Sequence, residues 1–313
     1  MNSPLQHFTG LNPEVPHTPI ENAETDRAGV SVTVRREDLV HPAISGNKLH
    51  KLRYNLEEAR SRGYDTLLSF GGAYSNHIHA TAWAGREAGF RTLGIIRGER
   101  PQPLNPTLAD AVEWGMQLRF VDRLNYRRKY QLDLLREIEM ESGPFFLIPE
   151  GGSNALAVKG CAELGRSIGE EWDYICLPCG TGGTLAGVAA GLTEGLCALG
   201  FPVLRNEAEL RTKLPELQYA YGAPRRDNWQ LITGYEFGGY ARFDWTLIRF
   251  INWFRTAYRI PLDPVYTGKL FYGVCDRIAH GYFPRGSRIL LLHTGGLQGI
   301  RGFNHRFGHI IRM

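Results

Sequence analysis

Pro178-Cys179-Gly180-Thr181-Gly182-Gly183-Thr184-Leu185-Ala186-Gly187 follows the strand-like Asp173-Tyr174-Ile175 and runs on into a helix-like apolar segment. Open α/β sheets place their ligand-binding loops at such strand-to-helix junctions, at the carboxyl ends of the strands. The glycines clear side chains from a turn where backbone N–H groups converge and the helix dipole favours an anion. The segment lacks the Lys-Ser/Thr ending of a nucleoside-triphosphate loop, and Leu185 stands where the last glycine of Gly-x-Gly-x-x-Gly would fall. Taken alone, the loop is open to two readings: a phosphate cradle, or a tight turn that needs glycine for its own geometry.

Outward from this loop, strand-like runs alternate with helical patterns. Val30–Val34, Thr66–Phe70, Thr92–Ile96, Phe145–Ile148, Tyr174–Leu177 and Arg288–His293 read as strands. Leu49–Arg60, Asn76–Ala88, Pro106–Trp114, Arg128–Met140, Asn154–Ile168, Thr184–Leu196, Trp245–Tyr258 and Lys269–Ala279 place apolar residues at helical spacing. This alternation predicts an α/β fold of parallel sheets covered by helices. Gly71-Gly72, Gly151-Gly152, Gly180–Gly183 and Gly295-Gly296 all follow strands, which puts the expected site at the carboxyl edge of the sheets.

The chain has 313 residues, 43% hydrophobic and 22% charged, enough for two domains at roughly 100–200 residues each. No run approaches the roughly 18 apolar residues that a spanning helix needs, and Met1–His7 has neither the basic start nor the apolar core of a leader, so a cytoplasmic protein without membrane contact is expected. The net charge of +4 is small and scattered, which argues against nucleic acid and for a small polar ligand. Arg123–Lys129 is basic, but it is expected to open a helix carrying Asp133, Glu137, Glu139 and Glu141, as a solvated face. Five cysteines do not make a disulfide framework in a chain this long. Cys176 and Cys179 read as small buried residues at a strand end, and His77 and His79 point to different helix faces with no accompanying ligand cluster, so no metal is expected.

Ser45-Gly46-Asn47-Lys48-Leu49-His50-Lys51 sets a lysine after a glycine turn at the mouth of a helix. Such a lysine is either a solvated first-turn residue or an amine whose pKa is lowered there, suited to forming an imine.

Taken together and in order, Ser-Gly-Asn-Lys-x-x-Lys, Phe70-Gly71-Gly72-Ala73-Tyr74-Ser75-Asn76-His77 and Gly180-Thr181-Gly182-Gly183-Thr184 resemble the 1-aminocyclopropane-1-carboxylate deaminase and D-cysteine desulfhydrase family. The resemblance continues through Glu150-Gly151-Gly152-Ser153, Asp263-Pro264-Val265-Tyr266-Thr267-Gly268-Lys269 and His293-Thr294-Gly295-Gly296, over about residues 30 to 300. It implies pyridoxal 5'-phosphate as cofactor and a tryptophan synthase beta-like fold of two three-layer αβα domains with mostly parallel sheets. Residues 1–50 plus 160–313 would form the larger domain and 51–159 the smaller inserted one, with the cofactor in the cleft between them and a homodimer as the assembly.

Carried onto matching positions, the resemblance makes Lys48 the Schiff-base lysine and the mover of the substrate's alpha proton. Asn47 would bond the ring's phenolic oxygen, and Gly180, Thr181, Gly182, Gly183 and Thr184 would hold the phosphate with help from Lys51. Ser75, Asn76 and His77 would receive the substrate carboxylate, and Tyr240 and Tyr266 would stack on the ring or touch substrate. Where the deaminase branch has glutamate and leucine, this chain has Thr267 and Thr294. A hydroxyl facing the ring nitrogen makes a weaker electron sink than a carboxylate, which suits loss of an alpha proton and expulsion of a beta leaving group.

The expected reaction is therefore D-cysteine desulfhydrase-like, giving pyruvate, ammonia and sulfide. 1-Aminocyclopropane-1-carboxylate deamination to 2-oxobutanoate is the alternative, with a beta-replacement synthase as a same-cofactor rival and a non-catalytic α/β ligand-binding protein as a rival of another class. The chain departs from the family pattern at His79, where arginine is usual, at Leu297-Gln298-Gly299, and around residues 200–230, which read as irregular.

Overall fold

The computed structural model of the chain describes residues 14–223 and 227–312, so the leader reading at Met1–His7 lies outside the described residues. Two sheets organise it. The first runs β1 (His17–Ile20), β2 (Ser31–Arg35), β10 (Arg288–Leu292), β7 (Tyr174–Cys179), β8 (Cys197–Pro202), β9 (Trp229–Leu231). All its pairs are parallel except β1 with β2. The second is wholly parallel, in the order β5 (Gln117–Val121), β4 (Arg91–Arg97), β3 (Thr66–Gly72), β6 (Phe146–Ile148).

Period-two side-chain direction explains the layers. In β10, Ile289 and Leu291 pack with Phe254, Leu270 and Phe271 on one face, while Leu290 and Leu292 pack with Leu185, Val188 and Leu210 on the other. In β3, Leu67 faces Leu52, Leu56 and Ala84, whereas Leu68 and Phe70 face Leu134 and Ile138. Sheets buried on both faces read as continuous apolar runs, which is why these strands stood out in the sequence. The α/β class with mostly parallel sheets is the observed one.

Several expectations need correction. The helix expected over Thr184–Leu196 ends at Gly191, because Leu192 turns extended (φ −62°, ψ 147°) to lead into β8. β8 carries Gly200 and Pro202, poor strand formers that hid it from pattern reading. β1 includes Pro19, a residue confined to edge strands such as this one. The basic cluster does not open the acidic helix. Asp122 caps a separate short helix, Arg123–Arg127, and the acidic helix starts at Leu132. The stretch read as irregular contains helix Glu207–Tyr221 between β8 and β9.

Cys176 and Cys179 are buried in β7, and the described cysteines are free. His77 and His79 do take different partners, and no group of metal-ligating side chains occurs among the described residues. No described helix is long and apolar enough to cross a membrane.

Candidate active site

The carboxyl ends of β3, β4, β6, β7 and β10 turn toward one cleft of about 220 Å³. Its position is locked by two interleaved glycine turns. Gly46 (φ +68°) lies so close to the backbone of Thr294 that a Cβ would stand 1.9 Å from its carbonyl oxygen. A Cβ on Gly295 would in turn stand 2.5 Å from Ser45 Oγ. Only glycine permits this approach, and it sets the start of helix Asn47–Ser61 beside Thr294.

From that helix start, Lys48 Nζ donates to Asn47 Oδ1 at 2.8 Å, and Asn47 Nδ2 donates to Thr184 Oγ1 at 2.8 Å. The lysine predicted to carry the chemistry is thereby tied to the first turn of helix Gly183–Gly191. Burial, reinforced by the nearby charge of Lys51, lowers the Lys48 pKa to about 7, so that much of the amine is unprotonated near neutrality.

The loop Gly180–Gly182 enters that helix with no side-chain cap, leaving first-turn N–H groups free for an anion. Lys51, one turn after Lys48, donates to the Gly151 carbonyl at 2.8 Å and lies 3.3 Å from where a Gly183 Cβ would be. Thr181, which lines the pocket, shares a hydrogen bond with Ser153 behind it, Oγ1 to Oγ at 2.5 Å. Cation, hydroxyls and uncapped helix end together form a cradle that fits a phosphate, and the adjacent low-pKa amine fits an aldehyde. Tyr266 completes the wall, its ring edge 3.3 Å from the position of a Gly180 Cβ. The residues present fit pyridoxal phosphate on these grounds.

Opposite the cradle, Ser75 caps helix Asn76–Glu87, its Oγ accepting the Ile78 N–H at 3.2 Å. Asn76 and His77, first-turn residues whose N–H groups have no intrahelical partner, line the cleft. The His77 side chain is set differently. Ser69 Oγ gives its proton to the Ile148 carbonyl at 2.8 Å, so His77 Nε2, 2.9 Å away, must donate to Ser69. Burial, then the charges of Lys48 and Lys51, hold His77 neutral, and its buried Nδ1 has no partner. A bare Nδ1 accepts and cannot donate, so a carboxylate would meet the backbone of His77 and not its ring.

Lys48, Asn47, Lys51, Ser75, Asn76, His77, Thr181, Thr184, Tyr240, Tyr266 and Thr294 therefore converge, together with Gly180 and Gly182, whereas Gly183 is buried in the first helical turn behind the lining. Thr267 does not line the cleft. It is fully buried, and its hydroxyl is spent on Asp263. Two charged residues not singled out as site residues, Arg97 and Glu150, line the mouth. Arg97 ends β4 and Glu150 follows β6, so the carboxyl-edge rule would have found both.

Tyr240 projects from an unusual turn. Phe237 (φ 48°) and Ala241 (φ 54°) adopt left-handed conformations that cost about 1–3 kcal/mol each, around Gly238 and Gly239. Its ring meets that of Tyr266 edge-on, with centroids 6.2 Å apart. Burial raises both phenols, Tyr266 well above 10, so both stay protonated.

At the family's usual arginine position, His79 bonds Asp110 at 3.1 Å, and Arg301 reaches the same carboxylate at 2.8 Å. The positive charge opposite Asp110 is thus supplied from helix Gln298–Phe307.

A parallel-sheet α/β enzyme with a low-pKa lysine beside a phosphate cradle defines a class, and sequence comparison agrees. Residues 11–295 match the family of pyridoxal-phosphate dependent enzymes, and the chain belongs to that family. Over 95% of this chain and 90% of the relative, it is 30% identical to a protein of Pyrococcus horikoshii whose name provisionally assigns it 1-aminocyclopropane-1-carboxylate deaminase activity. D-cysteine desulfhydrase of Salmonella typhimurium is 27% identical, over 96% and 99% of the two chains. The crystal structure of an ACC deaminase homologue superposes with a TM-score of 0.81 at 28% identity, covering 99% of this chain and all of that one.

Proposed function

We propose that the protein is a pyridoxal-phosphate-dependent lyase that eliminates the beta substituent of a D-amino acid, with D-cysteine giving pyruvate, ammonia and sulfide. The observation that carries this reading is Thr294, which lines the cleft at the position where the deaminase branch has leucine and brings a hydroxyl able to donate to an unprotonated ring nitrogen. Pyridoxal phosphate, when bound, supplies an electron sink that weakens bonds at the substrate's alpha carbon. Gly180–Thr184, Lys51 and Ser153 would hold its phosphate, Lys48 its aldehyde carbon, Asn47 its phenolic oxygen and Thr294 its ring nitrogen.

Lys48 then moves the alpha proton, for which a pKa of about 7 is well matched to neutral pH. Ser75 and the N–H groups of Asn76 and His77 orient the carboxylate, so that the bond to the alpha proton points at Lys48. Tyr240 and Tyr266, both protonated, cover the substrate and exclude water.

The reading extends to a cytoplasmic homodimer in which residues 51–159, holding the four-stranded sheet, form a unit distinct from 1–50 plus 160–313. Family resemblance supports the dimer, and light scattering tests it.

The reaction is tested with purified, cofactor-loaded protein given D-cysteine, L-cysteine and 1-aminocyclopropane-1-carboxylate in parallel. Sulfide and pyruvate from D-cysteine support the proposal. 2-Oxobutanoate from the cyclopropane, without sulfide from D-cysteine, replaces it with the deaminase reading, and consumption of an added second thiol into a new amino acid replaces it with a beta-replacement synthase.

A further inference from the structure

Lys269 stands on helix Thr267–Ala279 behind the cleft wall, is fully buried, and has no part in the chemistry above. A buried ammonium persists only when its donors are satisfied, and it has three. Here they go to the backbone carbonyls of Glu236 at 2.7 Å, Gly239 at 2.7 Å and Val203 at 3.4 Å. Two of those carbonyls stand just before and within the turn that carries Tyr240.

Apart from Phe237, whose ring packs edge-on against Tyr272 with centroids 5.2 Å apart, the turn is held by few bonds of its own. Phe237, Gly238, Gly239 and Ala241 all have positive φ, from 48° to 113°, and its own backbone bonds are Gly239 N to Glu236 O at 2.9 Å and Arg242 N to Gly239 O at 3.1 Å. Tyr240 lines the cleft, and its packing partner Tyr266 immediately precedes the lysine's helix. The acids nearest the ammonium are Asp263 and Glu236, and their charges oppose the lowering of its pKa by burial, to about 8, so it stays cationic near neutrality.

We infer that Lys269 is a positioning residue whose three hydrogen bonds hold the strained turn at residues 237–241, so that Tyr240 faces the substrate side of the cleft. The inference rests on the proposed function only for Tyr240's contact with substrate. The hold on the turn is independent of it.

Two variants reach the turn from opposite sides. Lys269→Met removes the donors, and Gly239→Ala strains the backbone at φ +113° with nothing within 4 Å of the new Cβ. Hydrogen exchange, read by mass spectrometry on the protein without substrate, is expected to accelerate at least roughly tenfold in peptides covering residues 232–243 in both variants, with β7 and β10 unchanged. In the cofactor-loaded enzyme, Lys269→Met is expected to lower kcat/KM roughly 10- to 100-fold, the scale of a displaced substrate contact. Combined with Tyr240→Ala, it should add nothing to the loss from Tyr240→Ala alone.

Unchanged exchange at 232–243, or losses that add in the double variant, would overturn the inference. If Lys269→Met does not fold, the same cycle with Gly239→Ala decides between these outcomes. If the parent enzyme does not turn over D-cysteine, the proposed function fails while the exchange result still tests Lys269.

Discussion

Thr267 closes a hydrogen-bonded ring with Asp263: its Oγ1 donates to Asp263 Oδ1 at 2.8 Å and accepts the Asp263 backbone N–H at 2.8 Å. Asp263 also accepts the N–H groups of Val265 and Tyr266 at 2.9 Å and of Thr267 at 2.8 Å. The two threonines that mark this chain within its family thus do different work, one building the helix start and the other facing the cleft.

Thr267→Val is accordingly expected to destabilise the fold by about 1–3 kcal/mol, the cost of breaking buried hydrogen bonds, with little change in kcat for the molecules that remain folded. Thr294→Leu is expected to do the reverse, lowering beta-elimination roughly tenfold or more at nearly unchanged stability. Denaturant titration and steady-state kinetics on the two variants check this. Equal effects on turnover would show that Thr267 also tunes the ring.

Lys48 sets a pH dependence. Its pKa falls from 10.5 to about 7, first through burial and then through Lys51. The rate of cofactor capture by cofactor-free protein should therefore rise with pH around a midpoint near 7, and Lys51→Met should move that midpoint upward. The same group makes cofactor-free protein more stable as pH rises from about 7 toward 10.5, because over that window the unfolded chain holds a proton that the folded site has released. Stopped-flow absorbance across pH 6–10 would read the midpoint, and a value near 10 would contradict the lowered pKa.

Gly183 abuts the cradle. A Cβ there would stand 2.8 Å from Ser153 Oγ and 3.3 Å from Lys51 Nζ. Gly183→Ala should displace both and weaken pyridoxal-phosphate binding roughly tenfold or more, measured by fluorescence titration. Binding as tight as the parent's would remove the cradle from the phosphate site.

Gln298, a departure from the family pattern, donates from Nε2 to Asn76 Oδ1 at 2.6 Å, with Asn76 Nδ2 turned toward Gly296. Gln298→Ala should free the Asn76 amide and raise KM for the amino acid several-fold, at nearly constant kcat. A fall in kcat with KM unchanged would place Gln298 elsewhere in the cycle.

The parts of this site that were legible are those written contiguously. Gly46 to Lys51 and Gly180 to Thr184 each carry their role within one turn of chain, where local geometry decides it. Tyr266 and Thr267 show the limit, since a helix begins there and sends neighbouring side chains to opposite sides, one to the cleft and one to Asp263. The direction of His77's ring depended on Ser69 and Ile148, which only β3–β6 pairing brings near. Lys269 ends a contiguous motif, but its partners at 203, 236 and 239 are joined to it by the fold alone. In the framework, strands buried on both faces were plain in the sequence, whereas β8 and β1, holding glycine and proline, were not.

Lys48 is the residue on which the proposed chemistry depends, as the anchor of the cofactor. Borohydride reduction of cofactor-loaded protein, followed by peptide mass mapping, tests that role directly. A pyridoxyl adduct is predicted on Lys48 alone, and none on Lys48→Ala, which should still bind the cofactor weakly and turn nothing over. An adduct on Lys51 or Lys269 in the parent protein, or full activity in Lys48→Ala, would contradict it.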